Sequence, residues 1–237
     1  MKLLKLVGAA LLIGCLVAAP SVRAQDKPGE KQPAADKPAT DKAAQPTPKA
    51  EVPMVYVLMK TSKGDVTLEL NQEKSPITVE NFLRYVDKKY YDGTVFHRIM
   101  SDFMIQGGGM DAAGKEKNAD KPIKNEWKNG LKNVKYSIAM ARLGGGPNSA
   151  DSATSQFFIN VKDNPMLDRA QQDGAAYTAF GRVVAGFDTV DKIKSVEVVM
   201  DPRGEKSKPV EQVKIESVRR LTPEETSAIK AKLTEKK

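Results

Sequence analysis

Val95-Phe96-His97-Arg98-Ile99-Met100-Ser101-Asp102-Phe103-Met104-Ile105-Gln106-Gly107-Gly108-Gly109 is unlike an ordinary strand, turn and strand. Residues 95 to 99 and 103 to 106 read as short strands, and three glycines close the second. If Arg98 and the Phe103-Met104-Ile105-Gln106 strand are neighbours in one sheet, side-chain alternation places a guanidinium, an aromatic ring and an amide on one face. Such a face is an apolar pocket with a cationic rim. Taken singly these residues say less. Phe103, Met104 and Phe158 read as barrel core, Gln106 as a satisfied polar group, and Arg98 as a surface cation.

The flanking chain continues in short apolar runs broken by turn residues. Val55 to Thr61 and Val66 to Leu70 flank Ser62-Lys63-Gly64-Asp65, a hairpin pattern. Ser75-Pro76 opens a helix in which Val79, Phe82, Leu83 and Val86 recur at i, i+3, i+4 and i+7. Further strands are expected at 136–140, 157–161, 178–184 and 211–219, and a second helix over Phe187 to Ser195 that buries Val190 and Ile193. The pattern predicts a mainly β fold: a closed eight-stranded antiparallel β-barrel capped by two α-helices. Thr222-Pro223-Glu224-Glu225 has the form of a capping box, so a short polar helix is expected over 222–237.

With FHRxxxxFMxQGG in place, residues 96 to 108 resemble the cyclophilin family of peptidyl-prolyl cis-trans isomerases. The resemblance continues through Ser137-Ile138-Ala139-Met140-Ala141, Ser155-Gln156-Phe157-Phe158-Ile159 and Tyr177-Thr178-Ala179-Phe180-Gly181. Ala141-Arg142 and Asp151-Ser152-Ala153-Thr154-Ser155-Gln156 are similar to the bacterial, periplasmic members. The family's reaction is rotation about the X-Pro amide, whose resonance barrier is roughly 18 to 20 kcal/mol. The twisted transition state frees the prolyl nitrogen lone pair to accept a hydrogen bond, for which an always-charged arginine is a suitable donor. The resemblance therefore implies catalytic roles for Arg98, Phe103 and Gln106, Arg98 being the principal one. Phe103, Met104, Phe158 and Leu167 would hold the proline ring. Ala141 and Gln156 would line the adjoining groove. Met166 and Tyr177, also implied to touch substrate, stand where the best-known eukaryotic members carry Trp and His. No cofactor and no metal are implied. The partners are proline-containing unfolded or partly folded polypeptides, and a proline-peptide-binding chaperone module without significant turnover is the alternative. The glycine-containing loop from Leu143 to Ser149 is expected to be flexible and to alter access to the groove.

Composition narrows the remaining choices. A chain of 237 residues that is 40% apolar and 29% charged is neither wholly disordered nor a multi-span membrane protein. One cysteine and one histidine, Cys15 and His97, leave too few soft ligands for a tetrahedral zinc site and no intrachain disulfide. Gly109 to Lys115 matches GxxxxGK, but Glu116 follows where a phosphate-binding loop carries Ser or Thr. His97, Ser101 and Asp102 are sequence neighbours without a nucleophile elbow. Basic residues lack aromatic interleaving, so nucleic acid is not an expected partner.

Lys2 and Lys5 precede an apolar run from Leu6 to Ala19, and Val22 and Ala24 occupy the positions of a small-residue cleavage site. Residues 1–24 thus read as a secretory signal peptide, too short in its apolar part for a stable membrane span. Leu12-Ile13-Gly14-Cys15 also resembles a lipoprotein signal, so an envelope lipoprotein anchored through Cys15 is the alternative to a periplasmic protein. Removing residues 1–24 takes away Lys2, Lys5 and Arg23 and no acid, leaving 35 basic against 30 acidic residues, a mild +5. Residues 25–51, rich in Lys, Asp, Glu, Ala, Gln and Pro, read as a disordered linker. The isomerase-like domain is expected over 52–221, as a monomer.

Overall fold

The structure is a computed structural model that describes residues 54–144 and 146–235. The expected signal peptide, the linker and Cys15 lie outside the described residues. Strands β1 (Val55–Thr61) and β2 (Gly64–Leu70) form the anticipated hairpin, pairing from Val55↔Leu70 to Thr61↔Gly64 around a Ser62-Lys63 turn. Helix α1 (Pro76–Asp87) begins at the proline. Its N-terminal amides are not capped by Ser75. They are met by the distant Glu126 carboxylate, which accepts bonds from Ile77 N (3.2 Å), Thr78 N (2.8 Å) and Thr78 Oγ1 (2.7 Å). A carboxylate there also complements the positive end of the helix dipole.

The remaining elements are β3 (Val95–Phe96), β4 (Arg98–Ile99), β5 (Met104–Gly107), β6 (Ser137–Met140), β7 (Phe157–Asn160), β8 (Ala179–Ala185), α2 (Phe187–Lys194), β9 (Val198–Met200), β10 (Lys206–Pro209), β11 (Val213–Arg220) and α3 (Pro223–Glu235). Nine strands form one antiparallel sheet in the order β3-β11-β1-β2-β8-β6-β7-β5-β4. Its two ends, β3 and β4, are halves of a single stretch interrupted at His97. Read as one bent strand, they close nine segments into the eight-stranded barrel that the sequence predicts. Closure leaves no free sheet edge.

Two apolar clusters follow from strict side-chain alternation. Ile105, Ile138, Met140, Phe157, Ile159 and Phe180 point into the barrel. There Phe82 from α1 meets Phe157 edge-on at 5.6 Å and Phe180 at 5.4 Å. Their sequence neighbours Met104, Ala139, Phe158 and Ala179 form a second cluster with Leu167. The helix α2 buries Val190 and Ile193 as its spacing predicts.

The β9–β10 hairpin has no counterpart in the sequence reading. Its exposed Val199 and Met200, and the polar Lys206-Ser207-Lys208, carry no alternation from which a strand could be read. Helix α3 buries no residue. It is fixed at its start by the capping box, in which Thr222 N donates to Glu225 Oε2 (2.9 Å) and Glu225 N to Thr222 Oγ1 (3.3 Å), and by Arg219, which grips Glu225 with two 2.7 Å bonds.

Candidate active site

Sheet register assembles the site. Arg98 pairs with Gln106, Gln106 with Phe158, Phe158 with Ala139, and Ala139 with Ala179. These five residues form one transverse row across β4, β5, β7, β6 and β8. Met104 lies two residues along β5 from Gln106 and so on the same face. Phe103 precedes β5 in a tight turn closed by Phe103 N to Met100 O at 3.1 Å. Its ring centre is 6.0 Å from Arg98 Cζ.

A 3-10 turn over Pro165–Asp168 brings Leu167 into the cluster, and Tyr177 N donates to Leu167 O at 3.0 Å. Tyr177 meets Phe158 edge-on at 5.8 Å. Asn164 Nδ2, from the residue before that turn, donates to Phe103 O at 2.8 Å, tying both walls together. Of the residues singled out from sequence, Met104, Phe158 and Leu167 pack in this cluster, with Phe103, Ala141 and Tyr177 against it. Met166 stands apart, half-exposed at 50% and outside the packed wall, because successive residues of the 3-10 turn face different ways.

The polar side of the row is a hydrogen-bonded chain. Gln106 Nε2 donates to Gln156 Oε1 at 2.9 Å, and Arg98 Nη1 approaches Gln106 Oε1 at 3.4 Å. Gln106, Ala141 and Gln156 also line a groove of about 950 Å³ that adjoins the apolar cluster and continues past Met110, Glu116 and Thr154. This is where the resemblance places Ala141 and Gln156.

One contact at the site was not legible in the sequence. Glu205, in the turn between β9 and β10, binds Arg98 side-on: Nε to Oε2 at 2.5 Å and Nη2 to Oε1 at 2.7 Å. The guanidinium bonds, foremost among the causes, pull the Glu205 carboxyl below the usual range. His97, between β3 and β4, is held at about 4, chiefly by burial, with Arg203 adding repulsion. Its Nδ1 is buried without a hydrogen-bond partner.

Asp111 Oδ1 accepts from Ala113 N and Lys115 N, each at 2.9 Å, so these amides of the GxxxxGK stretch are turned onto their own loop. Among the described residues, no three His, Cys, Asp or Glu side chains gather as metal ligands. No helix among them is long and apolar enough to cross a membrane.

A closed barrel with an apolar cluster on its outer face, rimmed by one guanidinium and two amides, offers a site that can hold a small apolar ring beside a hydrogen-bond donor. Comparison with known proteins gives the chain its family. The family model described as cyclophilin type peptidyl-prolyl cis-trans isomerase/CLD matches residues 56–220. The chain is 49% identical over 170 residues to peptidyl-prolyl cis-trans isomerase cyp18 of Streptomyces antibioticus, covering 71% of this chain and 99% of that one. It is 46% identical over 142 residues to peptidyl-prolyl cis-trans isomerase B of Escherichia coli, covering 59% and 84% respectively. Among solved structures, a cyclophilin type isomerase of Cryptosporidium parvum in the presence of the dipeptide Ala-Pro matches with a TM-score of 0.58 and 26% identity, over 70% of this chain and 99% of that one. The chain belongs to the cyclophilin-type peptidyl-prolyl cis-trans isomerases. Its reaction is rotation about X-Pro peptide bonds.

Proposed function

We propose that this isomerase assists the folding of exported proteins, with Arg98 as the donor that stabilises the twisted amide. The observation that carries the reading is the transverse row. It places a guanidinium at one end of an apolar cluster formed by Met104, Phe158 and Leu167, with the Gln106 amide between. The proline ring occupies the cluster, bounded by Phe103. Nη1 of Arg98, which Glu205 leaves unengaged, faces the reacting amide. In the planar amide the nitrogen lone pair is delocalised and accepts poorly. In the twisted state it is localised and accepts well, so the bond to Arg98 is stronger there than in either ground state. Gln106 positions Arg98 and bonds the substrate backbone. Ala141 and Gln156 hold the residues before proline, while Tyr177 borders the ring pocket. No covalent intermediate is formed. A binding module has no need of a guanidinium at this point, and Arg98 therefore favours turnover over mere capture.

Export rests on the Lys2, Lys5 and Leu6–Ala19 pattern with cleavage after Ala24, which yields a periplasmic monomer with residues 25–51 as a spacer. The relaxation of a short Xaa-Pro peptide tests the catalytic assignment. Acceleration by the parent that falls by roughly 10²- to 10³-fold in a folded Arg98→Ala variant is the expected result. Undiminished acceleration in that variant rejects Arg98. Mass spectrometry of the mature N-terminus tests export: a chain beginning at Gln25 supports cleavage, whereas a lipid-modified Cys15 supports the anchored form.

A further inference from the structure

We propose that Glu205 is a positioning residue that clamps the guanidinium of Arg98 in the orientation required for turnover, an inference that rests on the reading of Arg98 as the donor. Without Glu205 the guanidinium has weak restraints. Its other partners are Gln106 Oε1 at 3.4 Å, two thioether sulfurs, Met100 Sδ at 3.3 Å and Met104 Sδ at 3.9 Å, and the Phe103 ring, whose centre is 6.0 Å from Cζ. Such contacts restrain a long, rotamer-rich side chain weakly. A side-on carboxylate supplies two parallel charged bonds and fixes the guanidinium plane.

The choice of edge is informative. Glu205 takes Nε and Nη2 and leaves Nη1, the nitrogen nearest Gln106 and Met104, turned to the proline cluster. A carboxylate that blocked the site would occupy that third nitrogen. The pair is also sheltered, with side chains 22% and 30% exposed, so water competes with it less than at an open surface.

The turn that presents Glu205 is itself built for rigidity. Asp201 Oδ1 accepts from Arg203 N at 2.9 Å and Glu205 N at 3.0 Å. Asp201 N donates to Glu205 O at 2.8 Å, and Gly204 N to Asp201 O at 3.0 Å. Gly204 supplies the left-handed backbone, at φ +82°, that lets five residues close on themselves. The β9–β10 hairpin thereby acquires a role: it carries an acid from a remote part of the chain to the catalytic arginine.

The test is isomerisation of an Ala-Ala-Pro-Phe peptide by the purified protein, with kcat and KM separated by NMR line-shape analysis. Parent, Glu205→Gln, Glu205→Asp, Arg98→Lys and the Arg98→Lys/Glu205→Gln pair are compared. Glu205→Gln is expected to lower kcat about tenfold with KM changed less than about twofold, the signature of lost orientation. Glu205→Asp, which keeps the charge on a shorter stem, falls between it and the parent. The Arg98 Nε–H resonance is expected to broaden in Glu205→Gln. In the Arg98→Lys background no side-on pair exists, so the same change is expected to alter kcat by less than about twofold. An unchanged or raised kcat in Glu205→Gln overturns the clamp, as does an equal loss in both backgrounds. Arg98→Lys at the parent's rate also overturns the clamp, since a lysine donates without a side-on pair, whereas failure of Arg98 as the donor is read separately from an undiminished rate in Arg98→Ala.

Discussion

Arg142 and Asp173 form an ion pair whose side chains are 2% and 0% exposed, with the Tyr177 ring 4.6 Å from the guanidinium carbon. Ser149 Oγ donates to the same carboxylate at 2.6 Å, and Arg142 Nη2 donates to Ala175 O at 2.6 Å. The Ser149 bond first, and then Arg142, holds the Asp173 carboxyl at about 2. The sequence led us to expect a flexible loop from Leu143 to Ser149. In the structure both ends of that loop are hydrogen-bonded, Ser149 to Asp173 and Leu143 N to Ser152 Oγ at 2.9 Å.

Removal of one partner leaves the other charge buried and unmatched, which is the costly way to break such a pair. Asp173→Ala is expected to lower the melting temperature by several degrees and to weaken peptide turnover, because Tyr177 loses its support. Arg142→Met combined with Asp173→Leu is expected to recover much of the stability. Calorimetry of the parent and these two variants checks the stability of each, peptide kinetics checks the turnover, and a double variant no more stable than the single one contradicts the expectation.

Neighbouring phenylalanines offer a second test, since alternation sends Phe157 into the barrel core and Phe158 to the apolar cluster of Met104 and Leu167. Phe157→Ala removes a fully buried ring that packs against Phe82, Tyr91 and Phe96, and is expected to cost about 4 kcal/mol. Phe158→Ala opens a wall that already borders a pocket. It is expected to cost less, about 3 kcal/mol, while raising KM for an Xaa-Pro peptide more than tenfold. Urea unfolding together with peptide kinetics separates the two effects. Similar KM values for both variants would contradict the two-face assignment.

The third glycine after Gln106 is a site of close approach. A Cβ on Gly109 would lie 2.4 Å from Gln156 Cγ, so a methyl group there displaces the side chain that accepts from Gln106. Gly109→Ala is therefore expected to keep the fold and lower kcat/KM by roughly tenfold. Gly108→Ala behaves differently. Its φ of +82° and a Cβ 2.7 Å from the Phe157 ring put the strain in the core, and loss of stability is the expected outcome. Melting curves and peptide assays on the pair distinguish groove from core.

Sequence reasoning reached as far as periodicity does. The eight strands and both capping helices are visible because each has an apolar side every second or fourth residue. The alternation through Met104, Ile105 and Gln106 even assigns the two faces. Arg98, Phe103 and Gln106 are legible together because they lie within nine residues of chain. Glu205 and Asp173 were missed for the opposite reason: each reaches its arginine across a long sequence separation, from a polar turn without periodicity. Their partners are fixed by loop closure, to which local pattern is blind. Met166 is implied by the resemblance alone, at the position where the best-known eukaryotic members carry Trp, and the exposure of its side chain follows from the 3-10 geometry, which no local pattern shows.

His97 gives the protein a specific dependence on pH. Burial, followed by repulsion from Arg203 and Arg98, lowers its pKa from 6.5 to about 4, against the pull of a hydrogen bond with the Val95 backbone. Because the folded value lies below the unfolded one, the unfolded chain binds the extra proton first. Stability is therefore full above about pH 6.5, falls as pH drops towards 4, and loses nothing more from this group below that. At pH 4.5 the loss from His97 is on the order of 2 kcal/mol. The carboxyls of Asp87, Asp173 and Glu205 are lowered as well, so their stabilisation begins to fade at the acid end of this window and is lost mainly below it, adding a decrease that His97→Gln retains. Urea unfolding at pH 7 and pH 4.5 is expected to show a decrease of that size in the parent and a much smaller one in His97→Gln. An equal decrease in both would place the proton elsewhere.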